Sequence, residues 1–280
     1  MTVIEAVGAA YSEAGAALLD THVDPDHDRA VHTLAGRPGR IAAALAAGAK
    51  VAVDSIDLTR NHGVHPHVGA IDVVPLVHLS DRSRGTACAE ALVTADSIAR
   101  SARVPVFLYG ALSGGRARAE LREGGVEGLA ERVEMGLSRP DFGPRRLEPR
   151  SGAALVGARP VMVAFNLLLD PSATLETAKA VASKVREGGE EGLSGVRALG
   201  LELASVGRVQ VSANLENPDR AGIAEFHAAV SRHVAVESGE LVGLAPRAVL
   251  DAVPPELALP GVDPELHSIE GCLRLHGIGT

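Results

Sequence analysis

The sequence predicts an α+β protein built as an α/β sandwich of two related subdomains, each with helices packed on one face of a largely antiparallel sheet. Three observations carry this. The second half alternates strand and helix patterns in the order β-α-β-β-α-β, the split βαβ or ferredoxin-like arrangement. The first half, through residue 79, runs α-β-β-α-β, the same order with its first strand missing. Apolar residues are 46% of the chain, but there is no Trp and only 2 Tyr and 4 Phe, so the core is one of Ala, Val and Leu. The expected division is 1–152 and 153–280.

The elements follow in order. Thr2-Val-Ile-Glu5 is a capping box, and a helix over 2–14 should follow it. Residues 16–23 and 30–36 read as strands separated by the turn-rich Asp24-Pro-Asp-His-Asp-Arg29. Residues 38–57 are Ala-rich with helical spacing. Residues 68–79 are apolar and β-branched, which suits a buried strand. A helix at 82–102 and a strand at 104–109 come next, then short helices and turns over 110–152. Residues 154–169 read as one strand, 172–187 as a helix, and 196–205 and 207–215 as two strands around Val206-Gly207. A helix at 219–236 and a strand at 239–244 complete the second subdomain. The Pro-rich 253–264 segment reads as a tether to a last helix near 265–275.

Composition excludes several classes. Lys and Arg number 27 against 35 Asp and Glu, for a net charge of -8. That is the wrong sign for nonspecific nucleic-acid binding. No apolar run approaches the roughly 18–20 residues that span a bilayer. The start, MTVIEAVGAAYSE, is acidic and does not read as a signal peptide. Two cysteines, Cys88 and Cys272, are too few to carry a disulfide scaffold, so a cytoplasmic protein with free thiols is expected. Only Lys50, Lys179 and Lys184 are lysines; that bias reads as genome composition rather than phosphate binding.

The chemistry concentrates in three stretches. The first is Asn61-His-Gly-Val-His-Pro-His-Val-Gly-Ala-Ile-Asp72. Seven of the 11 histidines lie between His22 and His78. Pro66 disfavours helix at His65, and Gly63 and Gly69 allow close backbone approach. Three readings stay open: solvated loop histidines, a metal pair at His65 and His67, or one general acid–base His with the others as neighbours. No Cys and no nearby Glu complete a tetrahedral set, so no metal is expected. The second stretch is the hairpin of Asp24 and Arg29, either an Asx-rich turn or a charged pocket wall. The third is Arg139-Pro-Asp-Phe-Gly-Pro-Arg-Arg146, either a linker or an arm offering Phe142 to a flat heterocycle.

Together these stretches resemble the folate-dependent glutamate formimidoyltransferase family. The resemblance rests on DPDHDRAVHTLAG, HGVHPHVGAIDVVPL, VPVFLYG, LREGGVEGL, RPDFGP, GARPVMVAFNLLL, VQVSANLENP and SGELVGLAPRAVL, in the family's order and across nearly the whole chain. It implies transfer of a formimidoyl (or formyl) group between N-formimidoyl-glutamate and N5 of tetrahydrofolate, in histidine degradation and one-carbon metabolism. It also implies two α/β subdomains and a homodimer, with no nucleic-acid or membrane partner. His65, first residue of the HPxxGAxD motif, is implied as the catalytic residue. Asp24, Arg29, Gly69, Asp72, Arg139, Asp141, Phe142, Gly143, Pro144 and Arg145 are implied as folate or formimidoyl-glutamate contacts.

The chain departs from the family pattern in four places. The family's opening strand and its VPNFSEG-like loop are absent. His67 stands for Arg, Asp28 for Asn and Pro160 for Lys. Two further readings therefore accompany an active transferase: a member that binds folate with weak or changed catalysis, and a His-cluster metalloprotein on the same fold. The absent strand leads to the expectation that the natural chain starts about 15–20 residues upstream or that another segment fills its slot.

Overall fold

The computed structural model of the chain describes residues 1–26, 28–60 and 67–279. The chain divides into two compact units, Met1–Pro160 and Val161–Thr280. The architecture is α+β, as the sequence predicts.

In the first unit, α1 (Val3–Glu13) starts at the predicted capping box. The Thr2 hydroxyl accepts the Glu5 N–H at 3.2 Å and the Glu5 carboxylate accepts the Thr2 N–H at 2.7 Å. Strands β1 (Ala17–Asp24) and β2 (Arg29–Ala35) form an antiparallel hairpin, with Asp24 opposite Arg29 at the turn. Helix α2 (Ile41–Ser55) follows and packs on α1. Then come β3 (Asp72–His78), α3 (Arg84–Ala102), β4 (Val106–Leu108), α4 (Arg118–Arg122), α5 (Gly125–Glu134) and β5 (Ala154–Pro160).

These last three strands form a parallel sheet in the order β3-β5-β4. Strands that run the same way need crossover connections: α3 links β3 to β4 on the far side of β5, and α4 with α5 links β4 to its neighbour β5. One face carries Val74, Leu76, Val106, Leu108, Val156 and Ala158 into a core shared with α1, α2 and α3. The other carries Phe107, Tyr109 and Leu155 onto Leu121 of α4 and Leu129 of α5. A parallel sheet covered on both faces reads as continuous apolar runs, as VPVFLY and ALVGA do.

One expectation is corrected here. Residues 154–169 are not one strand: β5 ends at Pro160 and β6 (Val163–Leu169) begins in the second unit. The two compact units divide after Pro160, and β5 is the central strand of the first unit's sheet. In the first unit the antiparallel hairpin and the parallel sheet are separate, with helices on both faces of the latter. Among the described residues β2 and β3 each pair with one neighbour only. Pro75, which has no N–H to donate, is tolerated on such an edge strand.

The second unit follows the predicted order. After β6 come α6 (Leu175–Val185), β7 (Val196–Leu203), β8 (Arg208–Leu215), α7 (Ile223–Ser231) and β9 (Val236–Val242). All pairings are antiparallel, in the order β7-β8-β6-β9. That is the ferredoxin-like order. Phe165, Leu167 and Val211 join Val181 of α6 and Phe226 of α7 in one core on one face. On the opposite face Asn166 donates to the Glu240 carboxylate at 2.7 Å. The Pro-rich segment after α8 (Arg247–Asp251) is a packed strap rather than a loose tether: Leu257 is buried and Leu259 rests on the core. It leads to α9 (Pro264–His267) and α10 (Ile269–Leu275). Among the described residues no helix is long and apolar enough to cross a membrane.

Candidate active site

The loop entering β3 is fastened by backbone contacts that exclude side chains. Gly69 faces Gly152 in an antiparallel bridge. A Cβ at Gly69 would lie 1.6 Å from the Ala153 carbonyl oxygen, and one at Gly152 would lie 2.1 Å from that of Val68. Gly152 also has a φ of 64, in the left-handed region that glycine adopts without strain. The Ala70 N–H donates to the Ser151 carbonyl at 3.0 Å and the Ala153 N–H to the Val68 carbonyl at 2.8 Å.

Asp72 closes this loop from the other end. Its backbone has a φ of 49, a conformation Asp and Asn tolerate better than most residues. One carboxylate oxygen accepts the Val68 N–H at 2.9 Å and the other accepts the Arg122 guanidinium. The carbonyl of His67 faces Gly125 at the start of α5, where an added Cβ would lie 3.6 Å away. The predicted catalytic His65, with His62, lies outside the described residues.

The Pro-Asp-Phe-Gly-Pro arm is stitched along β4. The Asp141 N–H donates to the Val106 carbonyl at 2.8 Å, and the Val106 N–H donates to the Phe142 carbonyl at 3.0 Å. The Asp141 carboxylate accepts the Leu108 N–H at 2.7 Å and Arg116 at 3.3 Å. Gly143, with a φ of 81, lies against the Val104 carbonyl, which a Cβ would approach to 2.5 Å. Phe142 is half-buried and packs on the core beneath α3, so its ring anchors the arm. Arg139, Gly143, Pro144, Arg145 and Arg146 remain exposed.

The predicted site residues thus fall into two groups. Gly69 and Asp72 belong to the fastened loop, and Asp141 to Pro144 to the arm on the other edge of the same sheet. Asp24 and Arg29 lie at the tip of the separate β1–β2 hairpin, both half-buried. Sequence reasoning missed Arg116 and Arg122, which hold the two carboxylates, and Tyr109, Arg118 and Arg159 beside them. The available signal was the spacing in Arg116-Ala-Arg118-Ala-Glu-Leu-Arg122, which puts Arg118 and Arg122 one helical turn apart. Burial pushes the Tyr109 phenol above its ordinary pKa, while Arg118, Arg159 and Arg122 pull it down.

The loop held by Gly69 and Gly152 and the proline-braced acidic arm thus sit at the two edges of one parallel sheet. Residues 1–159 match the formiminotransferase domain, N-terminal subdomain. The chain belongs to the formiminotransferase family. It is 33% identical over 254 residues to glutamate formimidoyltransferase of Streptococcus pyogenes serotype M1, covering 88% of this chain and 84% of that protein. The enzyme of the same name from Thermoplasma acidophilum is 33% identical over 258 residues, with 88% and 84% covered. Formimidoyltransferase-cyclodeaminase of Sus scrofa is 34% identical over 265 residues, with 89% of this chain but only 49% of that protein covered. The chain therefore spans about half the length of such cyclodeaminase relatives.

Proposed function

We propose that this chain transfers a formimidoyl group from N-formimidoyl-glutamate to N5 of tetrahydrofolate. The observation that carries this is the match along most of the chain to two proteins named glutamate formimidoyltransferase. N5 attacks the formimidoyl carbon, a tetrahedral intermediate forms, and its collapse releases glutamate. The attacking nitrogen loses a proton and the leaving amine gains one, which a single imidazole performs at His65. The loop that follows His65 is held by Gly69, Gly152 and Asp72, a rigid mount for such a group.

Tetrahydrofolate is a co-substrate with a flat ring and an anionic tail, and the exposed Arg139 and Arg145 beside the arm of Asp141, Phe142, Gly143 and Pro144 suit that tail. Arg29 suits a carboxylate of the donor. The developing positive amidine needs a carboxylate nearby. Asp24 and Asp72 are the two carboxylates suited to this role. Residues 161–280 act as the family's C-terminal subdomain, and the protein works as a cytoplasmic homodimer without a metal.

The test follows formation of 5-formimidoyl-tetrahydrofolate with formimidoyl-glutamate as donor. Replacing His65 by Ala should lower turnover about 10²–10⁴-fold with the fold intact. Near-normal turnover in that variant would remove His65 from the mechanism. No turnover by the wild-type chain would favour a diverged member that binds folate alone, the reading that His67, Asp28 and Pro160 support.

A further inference from the structure

Both ends of the histidine loop are tied to one short turn, residues 148–152. Upstream, the Leu58 N–H donates to the Arg150 carbonyl at 2.9 Å. Downstream, the Ala70 N–H donates to the carbonyl of the next residue, Ser151, at 3.0 Å. The turn is closed on itself, with the Ser151 and Gly152 N–H groups both donating to the Glu148 carbonyl, at 3.1 and 2.8 Å. Its flanks are fixed by burial: Leu147 and Ala153 belong to the core cluster that also holds Val68.

The upstream tie has a brace of its own. Asp57 Oδ1 accepts the Thr59 N–H at 3.1 Å and the Thr59 hydroxyl at 2.6 Å. The Arg60 N–H donates to the Asp57 carbonyl at 3.1 Å, which closes a single turn over 57–60. Asp57 Oδ2 faces Arg150 Nε at 4.0 Å, so one side chain reaches from the first turn of the loop to its seat. The Thr59 hydroxyl, with its N–H and the charges of Arg150 and Arg60, holds the Asp57 carboxyl below its ordinary range, against partial desolvation. An exposed ion pair at that distance adds little energy, so the Thr59 bonds carry the brace.

We propose that residues 148–152 are a common seat for both ends of the histidine loop, and that Asp57 is a positioning residue for the transfer reaction. The role rests on the transfer reading above. Asp57 acts through Leu58 and the Arg150 carbonyl rather than on a reacting atom. A loop tied at one end pivots about that tie. Ties to adjacent carbonyls of one rigid turn fix its two ends relative to each other, which a proton-transferring group needs.

Hydrogen exchange followed by mass spectrometry reads both ends of the loop without reference to turnover. Asp57→Ala should speed exchange about 2- to 10-fold, the protection of one hydrogen bond, both at 57–60 and at 67–72. The second unit and the melting temperature should change little. The kcat with formimidoyl-glutamate should fall about 10-fold with KM nearly unchanged, the split expected when only orientation is lost. Asp57→Asn keeps an acceptor for Thr59 and should recover most of the protection and of kcat. Faster exchange confined to 57–60 would overturn the common seat. Faster exchange across the whole chain would overturn it too, since Asp57 would then merely support the fold. Coupled exchange with kcat and its pH profile unchanged would overturn the positioning role. Coupled exchange in a chain whose parent shows no turnover would count against the transfer reaction and leave the seat standing.

Discussion

The ring of Tyr11 in α1 occupies the space that a side chain at Gly48 of α2 would need. An ideal Cβ at position 48 would lie 2.1 Å from the ring. The two helices approach closely only because one contributes an aromatic ring and the other a bare backbone. Burial drives the Tyr11 phenol up to about 12, as expected for a hydroxyl sealed in this contact. Gly48→Ala gains helix propensity but must expel the ring, so the variant should lose about 1–3 kcal/mol by urea denaturation. A variant as stable as the parent would show that the helices part at no cost.

On its other side Tyr11 meets His32 of β2 edge-on, with ring centroids 5.6 Å apart. Burial holds His32 below its ordinary value of 6.5, while Asp20 pulls in the opposite direction. The folded protein therefore binds this proton less readily than the unfolded chain. The stabilising contribution is complete above pH 6.5 and is lost as the pH falls from there through the lower folded value. His32→Gln should flatten the decline in urea midpoint between about pH 7 and about pH 5. The same decline in both proteins would assign it to other groups.

Asp72→Asn isolates the charge in the loop clamp. Asn keeps the side-chain shape and tolerates the left-handed backbone, and its carbonyl still accepts the Val68 N–H. The ion pair with Arg122 is lost. The expected result is a fall of about 1–2 kcal/mol in stability and a larger proportional drop in turnover, because the histidine loop loses its anchor. Turnover matching the parent would show that the clamp does not position the loop.

Gly152→Ala places a methyl group against the Val68 carbonyl in a backbone conformation unfavourable to alanine. We expect a loss on the order of 2–4 kcal/mol in thermal or chemical melting, more than for an exposed glycine with similar φ such as Gly114. Equal losses at Gly114 and Gly152 would mean that conformation alone, and not the crossing, sets the cost.

Much of the fold was readable because its signals are local. The capping box at Thr2 and Glu5 placed α1, and the strand pairs around Val206-Gly207 gave the second unit's antiparallel sheet. The parallel sheet was not readable: a buried strand such as VPVFL looks the same whichever direction its neighbour runs. The run ALVGARPVMVAFNLLL is apolar on both sides of Pro160, so nothing in its composition marks the crossing from one unit to the next. For the candidate site, the motifs around Gly69, Asp72 and Asp141 were legible as short spacings. Their partners Arg122 and Arg116 were not, since a pairing across 50 or 25 positions leaves no mark in one sequence.

The position of β5 has a consequence for how the first unit comes into being. Its sheet is ordered β3-β5-β4, so the strand made last lies between the two made earlier. A nascent chain halted at Gly152 has both outer strands but nothing to join them, and its apolar faces stay open to water. The unit becomes complete only when synthesis reaches Pro160, and a fragment meant to isolate it must carry at least that far.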